Sequence, residues 1–147
     1  MRANQNPNPA LLALTPKNME IKVSFPGGKR VDAAFGEHVV RTDQPVSGGG
    51  ENSAPAPFDL FLASLATCAG IYVLGFCQAR SIPTEGFAIT QRDQIDPETH
   101  LPTAIVLEIT FPKDFPEKYK PAVIRAAEGC KVKKSIVATP RLEVREA

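Results

Sequence analysis

Residues 58–79 read FDLFLASLATCAGIYVLGFCQA, with Asp59 the only charge. A helix that is apolar on every face belongs inside a protein or inside a membrane. Leu60 to Cys77 runs 18 residues without a charge, close to the shortest membrane span. Two features favour burial in protein. Ala63, Ser64, Ala66, Thr67, Ala69 and Gly70 make the stretch rich in small residues, and no basic cluster flanks either end to set a topology. Ala63, Ala66, Thr67 and Gly70 recur at i, i+3, i+4 and i+7, a thin stripe that lets another helix approach closely. The expectation is a buried central helix and no membrane.

Upstream of it, Met19-Glu20-Ile21-Lys22-Val23-Ser24-Phe25 alternates apolar and polar residues, as a half-buried strand does. Pro26-Gly27-Gly28 is a turn signal, and strand-like pieces follow at Val31 to Phe35 and His38 to Thr42. Pro45 to Pro57 (PVSGGGENSAPAP) carries no order signal and reads as a loop into the helix. The Asn- and Pro-rich start predicts a flexible arm over residues 1–17, leaving 18–147 as a single domain. Downstream, Ser81-Ile82-Pro83 ends the helix. Gly86 to Ile95 and Thr103 to Phe111 read as a hairpin, with Ile105, Leu107, Ile109 and Phe111 on one face. A second helix should begin regularly at Pro121, and Tyr119, Val123, Ala126 and Cys130 put Cys130 on its apolar side. Arg141 to Arg145 alternates as a closing strand. Strand pairs segregated around apolar helices predict an α+β fold with mostly antiparallel pairing. So few strands cover a wholly apolar helix poorly, and a homodimer is expected.

Composition narrows the function. The 147 residues are 43% apolar, enough for a core without staples, and carry a net charge of +1 with the signs mixed. Counterion release on nucleic acid needs a basic patch that this balance lacks, and an anionic membrane surface loses support in the same way. Three cysteines make no disulfide scaffold, there is no C-x-x-C, and His38 and His100 have no ligand spacing. The apolar run Ala10 to Leu14 lies among Pro7, Pro9 and Pro16 and is too short for a signal-peptide core. The protein is expected in the cytoplasm with its thiols reduced.

Cys68 sits mid-helix, away from the helix's own N-terminal dipole. Its neighbours three and four residues away, Ser64, Leu65, Ile71 and Tyr72, form an apolar setting that raises a thiol's pKa. By itself this reads as packing. Cys77, nine residues on, lies half a turn round the helix and is also assigned to packing. Cys130 is followed by Lys131, Lys133 and Lys134, which either favour a thiolate or complement a helix C-terminus. Gly129 suggests that the helix ends there. Gly48-Gly49-Gly50 lacks the Lys-Ser/Thr of a phosphate loop and reads as a linker.

The run from Pro57 to Cys68 (PFDLFLASLATC), paired with Gly129 to Ile136 (GCKVKKSI) and preceded by Thr42 to Gly50 (TDQPVSGGG), resembles the OsmC/Ohr family over residues 18–146. The resemblance implies an OsmC-like fold, two chains interlocked with strands wrapping two central helices, and sites at the subunit interface. It implies that Cys68 is the peroxide-attacking thiolate and Cys130 the resolving thiol, with an outside thiol or dithiol as reductant and no metal or organic cofactor. It also implies an activating arginine after a glycine pair in the first hairpin. Gly27-Gly28 is followed by Lys29 and then Arg30. Arg30 is the choice for its planar fork, with Lys29 and Arg41 as alternatives. The family's peroxidases carry a glutamate ten residues before the first cysteine, where this chain has Phe58. The expected function is thiol-dependent reduction of organic hydroperoxides or hydrogen peroxide. The alternative is a non-catalytic dimeric stress-response or small-ligand-binding protein.

Overall fold

The protein is described here by a computed structural model covering residues 19–146, so the expected arm at 1–17 lies outside the described residues. Two compact units divide it, one ending at Ala56 and the other beginning at Pro57.

In the first unit, β1 (Lys22–Gly27), β2 (Arg30–Phe35) and β3 (His38–Val40) form an antiparallel meander in that order. Val23 pairs with Ala33, and Ala34 with Val39. Gly27 and Gly28 make the first turn at φ 122° and 61°, values that side chains with a Cβ rarely adopt. The half-burial expected of the first strand is corrected here: every residue of β1 is exposed, Phe25 at 81%. Its alternation is real, but nothing among the described residues covers the apolar side.

The stretch that follows β3 lacks periodicity and is nevertheless pinned. Asp43 is 1% exposed. Its Oδ1 accepts the Gln44 N–H at 2.8 Å, and its Oδ2 accepts the Glu51 N–H at 3.1 Å, the Ser53 N–H at 3.0 Å and the Ser53 hydroxyl at 2.7 Å. The Ser53 amide and hydroxyl lead in holding this carboxyl down at about 2, against the opposing effect of burial. Gly50 is required by the fold of this loop, because a Cβ there would lie 2.0 Å from the Gln44 carbonyl oxygen.

The second unit is built on α1 (Pro57–Gln78). Only one stripe of it is buried: Leu65, Ala69, Val73 and Cys77, each four residues apart. Burial on all sides, expected from the sequence, is therefore corrected for the single chain. By length and composition alone α1 also meets the requirement for a membrane span. The hairpin β4 (Ala88–Ile95) and β5 (Pro102–Thr110) is antiparallel, with Ile89 opposite Ile109. The expected face holds, Ile105, Leu107 and Ile109 being half-buried while Glu108 faces out. Phe115 is buried with ring centres 5.1 Å from Phe87 and 5.0 Å from Phe111. Such near-edge and tilted contacts add to the area each ring removes from water. α2 (Lys120–Glu128) starts with Pro121 in its first turn, where no N–H is missed. Its Val123, fully buried, meets Val73, Cys77 and Phe115 to complete the core.

Two expectations about the C-terminal stretch fail. Cys130 does not close a helix that leads into a strand. It opens a further helix, α3 (Lys131–Val137). Arg141 to Arg145 forms no strand among the described residues, and Leu142 and Val144 are fully exposed. Alternation alone does not make a strand without an edge to pair with.

Candidate active site

The α2–α3 junction explains how two cysteines 62 positions apart come together. Gly129 ends α2, its N–H bonding Ala126 O at 2.9 Å, and Cys130 N–H bonds Ala127 O at 3.2 Å. Cys130 then turns to ψ 123° and caps α3. A Cβ on Gly129 would sit 3.4 Å from the Tyr72 ring. The glycine thus lets the turn press on the α1 face that carries Tyr72 and, one helical turn earlier, Cys68.

Cys130 is 1% exposed. Its thiol points to the Leu65 carbonyl at 3.9 Å, and its sulfur accepts the Lys133 N–H at 3.4 Å. Cys68 is half-buried, with the Cys130 sulfur as a neighbour. The Val132 N–H is the largest influence on Cys68 and lowers its pKa. The Cys130 thiol, the Lys131 N–H and the Lys131 charge act in the same direction, against burial. Cys130 is shifted the other way, first by burial and then by the neighbouring Cys68 sulfur. The two thiols are thus shifted in opposite directions, Cys68 toward the thiolate and Cys130 toward the thiol.

This overturns two readings of the sequence. The apolar neighbours of Cys68 were expected to raise its pKa, but a second helix brings amide N–H groups to it. The lysines after Cys130 left a thiolate-favouring role and a helix C-terminal role open, and the second falls, because they stand in α3, which Cys130 opens. The amides of Lys131 and Val132 were missed as site groups. The signal that could have found them is the pair Val132 and Ile136, spaced i, i+4 directly after a cysteine able to cap. Cys77 is fully buried in the core as expected, and burial pushes its thiol up.

Beside Cys130 and Leu65 lies a cavity of about 490 Å³. Leu107 and Ile109 of β5, Ile124 of α2, and Lys133 and Ile136 of α3 are among its walls. The size suits a small molecule, and the lining favours an apolar one.

The candidate cations belong to the first unit. Lys29 and Arg30 both line a cleft of about 140 Å³ with Asp43, Gly50 and Glu51. Arg30 is exposed and its guanidinium donates to the Pro26 carbonyl at 3.5 Å. Arg41 is exposed beyond β3 and is not among the walls of that cleft. Phe58, at the position of the family's glutamate, stacks on Phe61 with ring centres 5.7 Å apart.

Comparison with known proteins agrees with this architecture. A search of curated proteins finds no match. Among solved structures, a Psychrobacter arcticus protein described as an osmotic stress induced and detoxification response protein is 25% identical, with a TM-score of 0.67 over 78% of this chain and 85% of its own. The organic hydroperoxide resistance protein OsmC of Legionella pneumophila is 20% identical, with a TM-score of 0.54 over 83% of this chain and 90% of its own. An OsmC like protein from Mycoplasma pneumoniae is 14% identical, with a TM-score of 0.62 over 85% and 91%. A scan of family descriptions matches OsmC-like protein over residues 49–145, both cysteines included. With that match spanning well over half its length and an α+β fold shared with these structures, the chain belongs to the OsmC-like family.

Proposed function

We propose that the protein is a thiol-dependent peroxidase that reduces organic hydroperoxides or hydrogen peroxide through Cys68 and Cys130. What supports this reading is the buried Cys130 packed on α1 beside Cys68, with the Cys68 thiol shifted down and the Cys130 thiol shifted up. The Cys68 thiolate attacks the outer oxygen of ROOH, so that an S–O bond forms, the O–O bond breaks, and RO⁻ leaves to take a proton as ROH. Cys68 is then a sulfenic acid. The Cys130 sulfur attacks it, forming the disulfide, and the hydroxyl departs with the Cys130 proton as water. Two outside thiols, or one dithiol, return both cysteines to the reduced state and leave as their own disulfide. Arg30 serves as the cation that polarises the peroxide, by analogy with the family's arginine. Solved relatives named for organic hydroperoxide resistance support the substrate class.

The same proposal makes residues 18–147 one domain working as a cytoplasmic homodimer. The apolar residues left exposed on α1, Phe58, Phe61, Ile71 and Tyr72, support a second copy, as do Val23 and Phe25 on β1. A second reading, a non-catalytic dimeric stress-response or ligand-binding protein, is favoured by the apolar cavity and by Phe58 in place of a carboxylate. Peroxide consumption with a dithiol reductant separates the two. The wild type should turn over and Cys68→Ser should fall to the uncatalysed rate, whereas equal slow rates would retire the peroxidase. After one equivalent of peroxide, mass spectrometry should find Cys68 joined to Cys130. A sulfonic acid on Cys68 beside an untouched Cys130 would remove the resolving role.

A further inference from the structure

α3 is a weak helix by its own sequence. Seven residues fall well below the length at which an isolated helix holds. Lys131, Lys133 and Lys134 crowd its first turn, where the N–H groups already carry partial positive charge, and no acidic residue offsets them. Val132, Ile136 and Val137 are β-branched. None of its residues is buried.

What ties it down is the sulfur just before it. Cys130 is buried, caps α3 by accepting the Lys133 N–H, and reaches the Leu65 carbonyl of α1 with its thiol. α3 in turn contributes Lys133, Ile136 and Val137 to the wall of the 490 Å³ cavity.

We propose that joining Cys68 to Cys130 releases α3, so that the redox state of the pair opens and closes the cavity wall. The idea rests on the peroxidase reading only for the oxidant that acts in the cell. Two changes work against α3 when the disulfide forms. The Cys130 S–H is lost, leaving Leu65 O without that donor. The sulfur is drawn to bonding distance of Cys68, roughly 2.05 Å, and away from the Lys133 N–H. The wall thus loosens at the stage when an incoming thiol needs access to the disulfide.

The test is hydrogen exchange of the backbone amides of 133–138 in the full chain, reduced and oxidised. Diamide is the oxidant: it takes two electrons and two protons from the two thiols and becomes its hydrazide, so no peroxidase activity is required. Exchange in this segment should quicken about tenfold or more on oxidation, with β4 and β5 unchanged. Reduced Cys130→Ser, which keeps a capping side chain, should stay protected and ignore diamide. Reduced Cys130→Ala should exchange fast with no oxidant. Equal exchange in the two redox states, protection in Cys130→Ala, or failure of diamide to join the sulfurs would each overturn the proposal. A disulfide made by diamide but not by peroxide would retire the peroxidase reading and leave the α3 response standing.

Discussion

At the scale of single residues, the chemistry turns on where protons sit. Cys68 alkylation by iodoacetamide, followed by mass across pH, should show a midpoint below the roughly 8.5 of a free cysteine. A midpoint at or above that value would mean that the α3 amides do not stabilise the thiolate. The sign for stability follows. A folded value below the unfolded one contributes stability above the ordinary thiol range, and that contribution is lost as pH falls through the lowered value. Asp43 obeys the same rule in acid. Its contribution is complete above about 4, the ordinary carboxyl range, and disappears as pH falls through about 2. Asp43→Asn should therefore flatten the acid limb of a Tm-versus-pH curve and speed exchange at the Glu51 and Ser53 amides. If Arg30 is the activating cation, Arg30→Met should lower kcat/KM by about 10²-fold, a loss typical of one electrostatic donor at a reacting oxygen. Lys29→Met should stay within a few-fold. The reverse ranking would move the role to Lys29.

At the scale of elements, the core predicts its own weak points. Phe115→Ala removes a buried ring touching two others and should cost about 3–5 kcal/mol by denaturant unfolding. Gly50→Ala, with a backbone oxygen in the way, should cost about 1–3 kcal/mol and disturb the loop pinned by Asp43. How far these elements could be read in advance depended on whether their stabilisation is local. β5 was legible because a two-residue period survives in its apolar residues, and α1 because a long uncharged apolar run belongs to a helix out of water. α3 was not, since its lysines stand at the end that helix dipoles disfavour and its anchor is a sulfur held against another helix. The loop from 43 to 53 was unreadable for a similar reason: its order comes from one buried carboxylate collecting N–H groups, which leaves no period. The closing strand expected at Arg141 to Arg145 had the opposite fault, a clear period with no neighbouring edge in the described chain. As for the site, physics applied to the residues alone made Cys68 inert. Only the family resemblance joined it to Cys130, and the helix that lowers its pKa came from the fold.

At the scale of the whole molecule, exposed apolar surface sets the expectation. Sedimentation without detergent should give twice the 15.8 kDa chain mass if a second copy covers α1 and β1. A monomer, or a need for detergent, would undo the homodimer. Replacing Phe25 and Ile71 by charged residues should shift that equilibrium toward single chains, with the hairpin β4–β5 still folded. One further consequence comes from the third cysteine, sealed between Val73, Phe115 and Val123. Fully buried in the native protein, it offers no stray partner for disulfide scrambling. It also keeps a record. Isotope-coded labelling of Cys77 would count how many molecules have ever come apart, a tally of unfolding kept in the same element that carries Cys68.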